Sequence, residues 1–331
     1  MAVTSHDVAR LAGVSQPTVS RALRGDARVA EATRQRVREA AAALGYVPSE
    51  VGRSLSTRAT HQIAMVADLE NPLYPRLVAP IHDTLISLGY RMVVLAERGD
   101  DISTYERLLD RSVDGAILTT SLLYSDLPWR LHDRGLPFVQ LNRASDLVDS
   151  DSITADNRAG AAAVARLFLG AGHRKLGAIF GPAETSTSRD REAGFRDTLQ
   201  DADVAVPSRW VRRGTAFTYS DGYAGFTAIM QGPDHPSAVF CANDMVAVGA
   251  LNAAAELGIP VPGQVAVAGF DDLDVASWPC FRLTTVRIDL EAMARRAAEM
   301  VVKRLDDPGA AMVHETFPAA LVERATSAVT R

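Results

Sequence analysis

Residues 15–21 read Ser-Gln-Pro-Thr-Val-Ser-Arg, an amide, three hydroxyls and a guanidinium within two helical turns. A helix that buries Val19, Ala22 and Leu23 turns Gln16, Thr18, Ser20 and Arg21 elsewhere. Arginine can make a forked contact to a guanine edge and glutamine can bond an adenine edge, so this face has the chemistry that reads the DNA major groove. Pro17 falls in the first turn, where a missing N–H costs little. Ahead of it, Thr4 and Asp7 form a helix-start pair, Val8, Leu11 and Ala12 recur at helical spacing, and Gly13 breaks the run before Ser15 restarts it. Two short amphipathic helices across a glycine turn match a helix-turn-helix, and they equally match an ordinary helical hairpin in a larger core.

A second set of polar residues ends a series of apolar runs. Runs of strand length lie at 62–68, 91–97, 115–120, 137–142, 175–181, 237–243 and 265–271. Helical patterns alternate with them, around Val78 to Leu88, Ala159 to Gly170, Arg189 to Leu199, Met245 to Gly258 and Leu290 to Leu305. That alternation predicts an α/β fold with parallel sheets covered on both faces, and seven or more units exceed one ordinary sheet, so two sheets flanking a cleft are expected. Ligands in such sheets sit beyond the carboxyl ends of the strands. The rule selects Asp68 with 70–74, Asn142-Arg143, Asp156-Asn157, the 181–191 loop, Asn243-Asp244 and Asp271-Asp272. Carboxylates, amides and an arginine, with Tyr74 and Phe217 to stack on a ring face, suit a small polyhydroxylated ligand, and a neutral sugar is expected ahead of a purine or a phosphorylated metabolite.

The 331 residues suggest two or three domains. No apolar run is long enough to span a bilayer and no charged-then-apolar start resembles a signal peptide, which predicts a cytoplasmic, nucleoid-associated protein without a membrane partner. Cys241 and Cys280 are too few for a disulfide framework or a thiolate metal cage. No cofactor or metal site is expected. The net charge of −5 conceals a division: residues 1–60 hold nine arginines against five acids, a net +4 on an otherwise acidic chain. A basic head suits contact with phosphate. A third helix is predicted from Val29 to Gly45, and residues 50–58 form a segment too short to be a stable helix alone.

The stretches HDVARLAGVSQPTVSRALRG (6–25) and VAEATRQRVREAAAALGYVPS (29–49) resemble the DNA-binding pattern of the lactose and galactose repressor family of bacterial transcription regulators. Further landmarks follow in order along nearly the whole chain: NPLY (71–74), ADNRAG (155–160), GHRKLGAIFGP (172–182), REAGF (191–195), SAVFCANDMVAVGAL (237–251), VAVAGFDD (265–272), LTTV (283–286) and LVER (321–324). The resemblance implies an all-α helix-turn-helix head at 1–48, a hinge at 49–60, and a two-lobed effector-binding and dimerisation body at 61–331. One lobe would take about 61–157 and 287–316, the other about 158–286 and 317–331. It implies a homodimeric repressor on a pseudo-palindromic double-stranded operator, controlled by a small-molecule effector, with carbohydrate expected.

Carried onto this sequence, Gln16, Pro17 and Arg21 stand at base-reading positions, while Thr4, Ser15, Thr18, Ser20 and Tyr46 are phosphate or framework groups. Leu55 matches the leucine that wedges into the minor groove. Tyr74, Asp156, Arg191, Phe217, Asn243 and Asp271 match effector contacts, and Asp272 suits loop bracing as well as binding. Gly52, Arg24 and Asp289 depart from the family pattern. Two other readings remain: a solute-binding receptor without a DNA role, and a sugar-acting enzyme using carboxylates such as Asp156 with Asp271. No phosphate-cradling loop, nucleophile elbow or metal-spaced histidine cluster supports the enzyme.

Overall fold

Thr4 starts the first helix by donating its backbone N–H and hydroxyl to Asp7 Oδ2, at 3.0 and 2.7 Å. This helix, α1 (Ser5–Ala12), ends at Gly13, whose φ of 65° is the left-handed turn that glycine adopts without strain. In the computed structural model, which describes residues 3–23, 25–46, 59–96, 102–110 and 112–327, α2 (Gln16–Leu23) and α3 (Glu31–Ala43) complete the head. The end of α3 falls short of Gly45 because the chain closes there: Tyr46 N–H donates to Ala41 O and Gly45 N–H to Ala42 O, satisfying two carbonyls that the helix leaves open. Val8, Ala12, Val19, Ala22, Val37, Ala40 and Ala41 make the head's core. Leu11 does not join it; at 56% exposed it faces solvent, and Ala9 packs inward instead.

Residues 61–331 form a separate unit from the head. Its first sheet has six parallel strands, in the order β2 (Arg91–Ala96), β1 (Gln62–Ala67), β3 (Gly115–Leu118), β4 (Phe138–Leu141), β5 (Ser152–Ala155) and β11 (His314–Phe317). The second has four parallel strands, in the order β7 (Val211–Arg213), β6 (Leu176–Phe180), β8 (Ala238–Cys241) and β9 (Ala266–Ala268). These are the two parallel sheets that the continuous apolar runs predict.

Helices α4 (Pro75–Ser87), α5 (Ile102–Leu109), α6 (Leu127–Asp133) and α12 (Leu290–Asp306) accompany the first sheet, with α4 packed on α12. The helices α7 (Asn157–Gly170), α8 (Ser186–Asp201), α9 (Tyr219–Met230), α10 (Asp244–Glu256) and α11 (Asp274–Ser277) accompany the second, with α7 packed on α8 and α9 on α10. Among the described residues the chain passes between the sheets three times: from β5 into α7, along β10 (Thr285–Ile288), and along β12 (Ala319–Val322). The last two pair antiparallel, Thr285 opposite Val322 and Ile288 opposite Ala319. Among the described residues no helix is long and apolar enough to cross a membrane and no cluster of side chains could hold a metal ion.

Candidate functional site

On the head, Pro17 and Arg21 are exposed on α2 while Gln16 is half-buried, its Nε2 donating to Ser5 Oγ at 3.3 Å. The hydroxyls of Ser15 and Thr18 hydrogen-bond each other at 2.8 Å, and Thr4 is held by Asp7. Tyr46 packs against the head's core. The helix start therefore uses Thr4, Ser15 and Thr18 internally, and Arg21 is the cation that α2 presents to solvent.

In the body, a cavity opens between the carboxyl ends of the two sheets, lined by Asn71, Tyr74, Asn142, Arg143, Thr187, Arg191, Phe217, Asn243 and Asp271 among others. Its centre is Arg191, carried by α8 and 2% exposed. Each guanidinium nitrogen has a protein acceptor: Nε donates to Asn157 Oδ1 at 2.8 Å, Nη1 to Ala242 O at 2.7 Å and Nη2 to Asp271 Oδ1 at 2.8 Å. The same guanidinium lies 3.8 Å from the Phe270 ring centroid, a cation–π contact. Burial lowers the Arg191 pKa and raises that of Asp271, and in each case the partner's charge opposes the shift. Removing one partner of such a pair costs about 3–5 kcal/mol, because the other charge stays buried.

Asp271 follows β9 with φ at 103°, and Asn142 follows β4 with φ at 71°. Strand-end residues held in the left-handed region are uncommon outside glycine and mark places where the fold imposes a direction on the side chain. Asp271 is also tied to the passages between the sheets, since its N–H donates to Val286 O on β10 at 2.8 Å. Its neighbour Asp272 accepts from Arg287 Nε and Arg324 Nη2, both at 2.6 Å, and so braces the crossing strands. Behind both, fully buried Asp244 accepts from Thr285 Oγ1 at 2.5 Å and from Leu273 N–H at 2.7 Å.

The cavity's other face is aromatic. The Arg143 guanidinium lies 5.8 Å from the ring centroid of buried Tyr74 and 5.1 Å from that of Phe217. Phe217 comes this close because residue 181 is glycine; a Cβ there would strike the ring. The cavity volume is about 10 Å³, the size of one water molecule.

Two family models match the chain: bacterial regulatory proteins of the lacI family over residues 4–49, and a periplasmic binding protein-like domain over residues 165–327. The transcriptional repressor PurR of Pectobacterium atrosepticum is 32% identical over 331 residues, covering 97% of this chain and 96% of that protein. The chain belongs to the LacI family. The ribose operon repressor of Escherichia coli K12 is 30% identical over 312 residues, covering 92% of this chain and 94% of that one. The Lac repressor dimer bound to operator and the anti-inducer ONPF superposes with a TM-score of 0.88 at 25% identity, covering 99% of each chain.

In this LacI-family chain the cavity gathers Tyr74, Arg191, Phe217, Asn243 and Asp271. Asn243 contributes less than its amide suggests, since its Oδ1 accepts from Val246 N–H at the start of α10, at 2.9 Å, and its Nδ2 donates to Phe217 O, at 3.4 Å. Tyr74 is buried in the cavity wall. Asp156 does not line the cavity. Its carboxylate caps α7, accepting from Ala159 N–H at 2.9 Å, and the next residue, Asn157, reaches Arg191 instead. The carboxylate pair Asp156 with Asp271 that an enzyme would use is therefore not assembled. Asp289 is accounted for as the N-cap of α12, accepting from Ala292 N–H at 2.9 Å. Leu55, Gly52 and Arg24 lie outside the described residues. Asn71, Leu73, Asn142, Arg143 and Thr187 complete the lining; their signal in the sequence is position alone, after strands and in the first turn of α8.

Proposed function

We propose that this LacI-family regulator represses transcription as a homodimer on a pseudo-palindromic operator, and that a small polyhydroxylated effector, a carbohydrate, bound between the two sheets sets its operator affinity. Residues 1–48 would be the DNA-binding head, 49–60 the hinge and 61–331 the body that binds effector and partner subunit. Gln16 and Arg21 would read bases, with Pro17 shaping the helix start or touching a thymine methyl. Thr4, Ser15, Thr18, Ser20 and Tyr46 would be phosphate or framework groups that position the head without specifying sequence, and Leu55 would enter the minor groove. Tyr74, Arg191, Phe217, Asn243 and Asp271 would hold the effector.

The observation that carries this reading is the bond from Asp271 to β10. A ligand that loads Asp271 acts on a residue hydrogen-bonded to a strand passing between the sheets, so occupancy bears on how the sheets are set. Control of this kind requires unequal affinity for the two settings, and coupling of about 1–3 kcal/mol is typical. The relatives' names support repression rather than catalysis.

The test is operator selection from random duplexes followed by anisotropy titration at fixed salt. Arg21→Ala is expected to lower the ratio of specific to non-specific affinity by about 5- to 150-fold, the equivalent of the 1–3 kcal/mol carried by one good base contact. An unchanged ratio would remove Arg21 from base reading.

A further inference from the structure

We infer that the effector is a monoanion, a polyhydroxylated carboxylate of the sugar-acid type, held by Arg143. This rests on the effector reading above and narrows its chemistry.

The first ground is the charge of the cavity wall. Two guanidinium groups, Arg143 and Arg191, line it against one carboxylate, Asp271. Arg191 and Asp271 neutralise each other directly. Arg143 is left as the excess charge, held near two rings that give it cation–π stabilisation and no counter-charge. The acids nearby do not cancel it. Asp156 is spent on a helix cap, Asp272 on Arg287 and Arg324, and Asp244 is directed at Thr285 and Leu273. Beyond the lining, half-buried Asp68, which receives Glu70 N–H, and exposed Arg76, bonded to Asp272 O, carry opposite charges and leave that balance unchanged.

The second ground is independent of charge. Among the described residues, two buried side-chain polar atoms have no hydrogen-bond partner, Arg143 Nε and Asn142 Oδ1, and both residues line this cavity. Buried polar groups are rarely left so, because an unmade hydrogen bond there costs about 1–3 kcal/mol. One atom is a charged donor and the other an acceptor. A carboxylate satisfies the donor, with the planar two-oxygen geometry that a guanidinium edge matches, and a ligand hydroxyl satisfies the acceptor. A single excess positive charge is balanced by a monoanion; a phosphate ester, at about −1.5 to −2, would overshoot it.

The experiment is calorimetric titration of the full chain with matched probes: glucose against glucuronate and gluconate, galactose against galacturonate, with glucose 6-phosphate and adenine alongside. The sugar acids are expected to bind at least tenfold more tightly than their neutral parents. Arg143→Gln is expected to erase that preference. Asn142→Asp, which keeps a residue tolerant of the left-handed backbone and adds a second carboxylate, is expected to shrink it at least tenfold. Thermal melts of both variants check that they fold. Neutral sugars binding as tightly as the acids would overturn the inference while leaving the carbohydrate reading in place. Tighter binding of the phosphate would overturn the carboxylate assignment, and binding of adenine alone, or of no probe, would overturn both.

Discussion

Asp244 is a carboxylate with no solvent contact, and both of its neighbours by hydrogen bond are neutral. Burial, reinforced by the charge of Asp271, pushes its pKa well above the ordinary 3.8. In the unfolded chain the proton leaves near the ordinary value; in the folded chain it stays on to higher pH. The folded state thus binds more protons across that interval, and stability falls as pH rises through it. Asp244→Asn keeps the acceptor for Leu273 N–H and removes the titration, so its urea midpoint is expected to decline less than wild type as the pH rises above the ordinary carboxylate range. Glu192 and Glu315, held low by arginines, act below that range, while Asp271, raised by burial, and His173, lowered by burial, are present in both proteins, so the readout is the difference between the two slopes. An identical slope in variant and wild type would mean that Asp244 is ionised in the fold. The neighbouring pair 156–157 shows what the sequence could not reveal at this scale. Both residues are polar and both follow an apolar strand, and only the point where α7 begins decides that Asp156 caps the helix while Asn157 reaches Arg191. The same ambiguity makes the sequence promise more carboxylates in the cavity than the fold places there.

At the scale of elements, β1, β2, β3, β4, β6, β8 and β9 were legible because each is a continuous apolar run, whereas β5, Ser-Ile-Thr-Ala, is buried without being one. The edge strand β11 was not legible, since its side chains are alternately exposed and half-buried, and neither was the crossing strand β12, whose apolar stretch is four residues long and stays partly exposed. Helix α9 was hidden for another reason: Gly222 and Gly225 interrupt a helical pattern that tertiary packing restores. Those glycines belong to a close crossing. A Cβ on Gly222 would strike Val246 O of α10, and one on Gly249 of α10 would strike Tyr219 O of α9. The two backbones touch where each has no side chain. Gly249→Ala sets two effects against each other, a helix-propensity gain of about 1 kcal/mol and an overpacking loss of about 1–3 kcal/mol or more. Since the obstacle is backbone that cannot rotate away, the loss is expected to prevail, and the denaturation midpoint to fall. Gly170→Ala, with open space around its Cβ position, is the control and is expected to hold or raise the midpoint. If the two variants behaved alike, the crossing would be looser than described.

For the body as a whole, the cavity's volume of about 10 Å³ is smaller than any sugar ring, so a ligand enters only if the two sheets part. What holds them together on one side is a set of contacts from loops of the first sheet to the loop and helix start after β6. Leu123 N–H donates to Glu184 O at 2.8 Å, Ala144 N–H to Ser186 Oγ at 3.1 Å, and Arg189 pairs with Asp146 at 2.8 Å. On the other side Arg76 of α4 bonds Asp272 O at 3.3 Å and lies 3.8 Å from Asp274. These bonds exist only while the sheets are close, so they contribute to the closed setting and nothing to the stability of either sheet with its helices. The Arg189–Asp146 pair is solvent-exposed on both sides, and exposed pairs contribute between nothing and about 1 kcal/mol. Asp146→Ala is therefore expected to leave the denaturation midpoint within error of wild type and to weaken effector binding by no more than about fivefold, the equivalent of 1 kcal/mol. Calorimetry gives the affinity and small-angle scattering, through the radius of gyration, gives the closure. A larger loss of affinity with unchanged closure would place Asp146 on the ligand instead of on the latch, and would move the cavity's working boundary outward to the 142–151 loop.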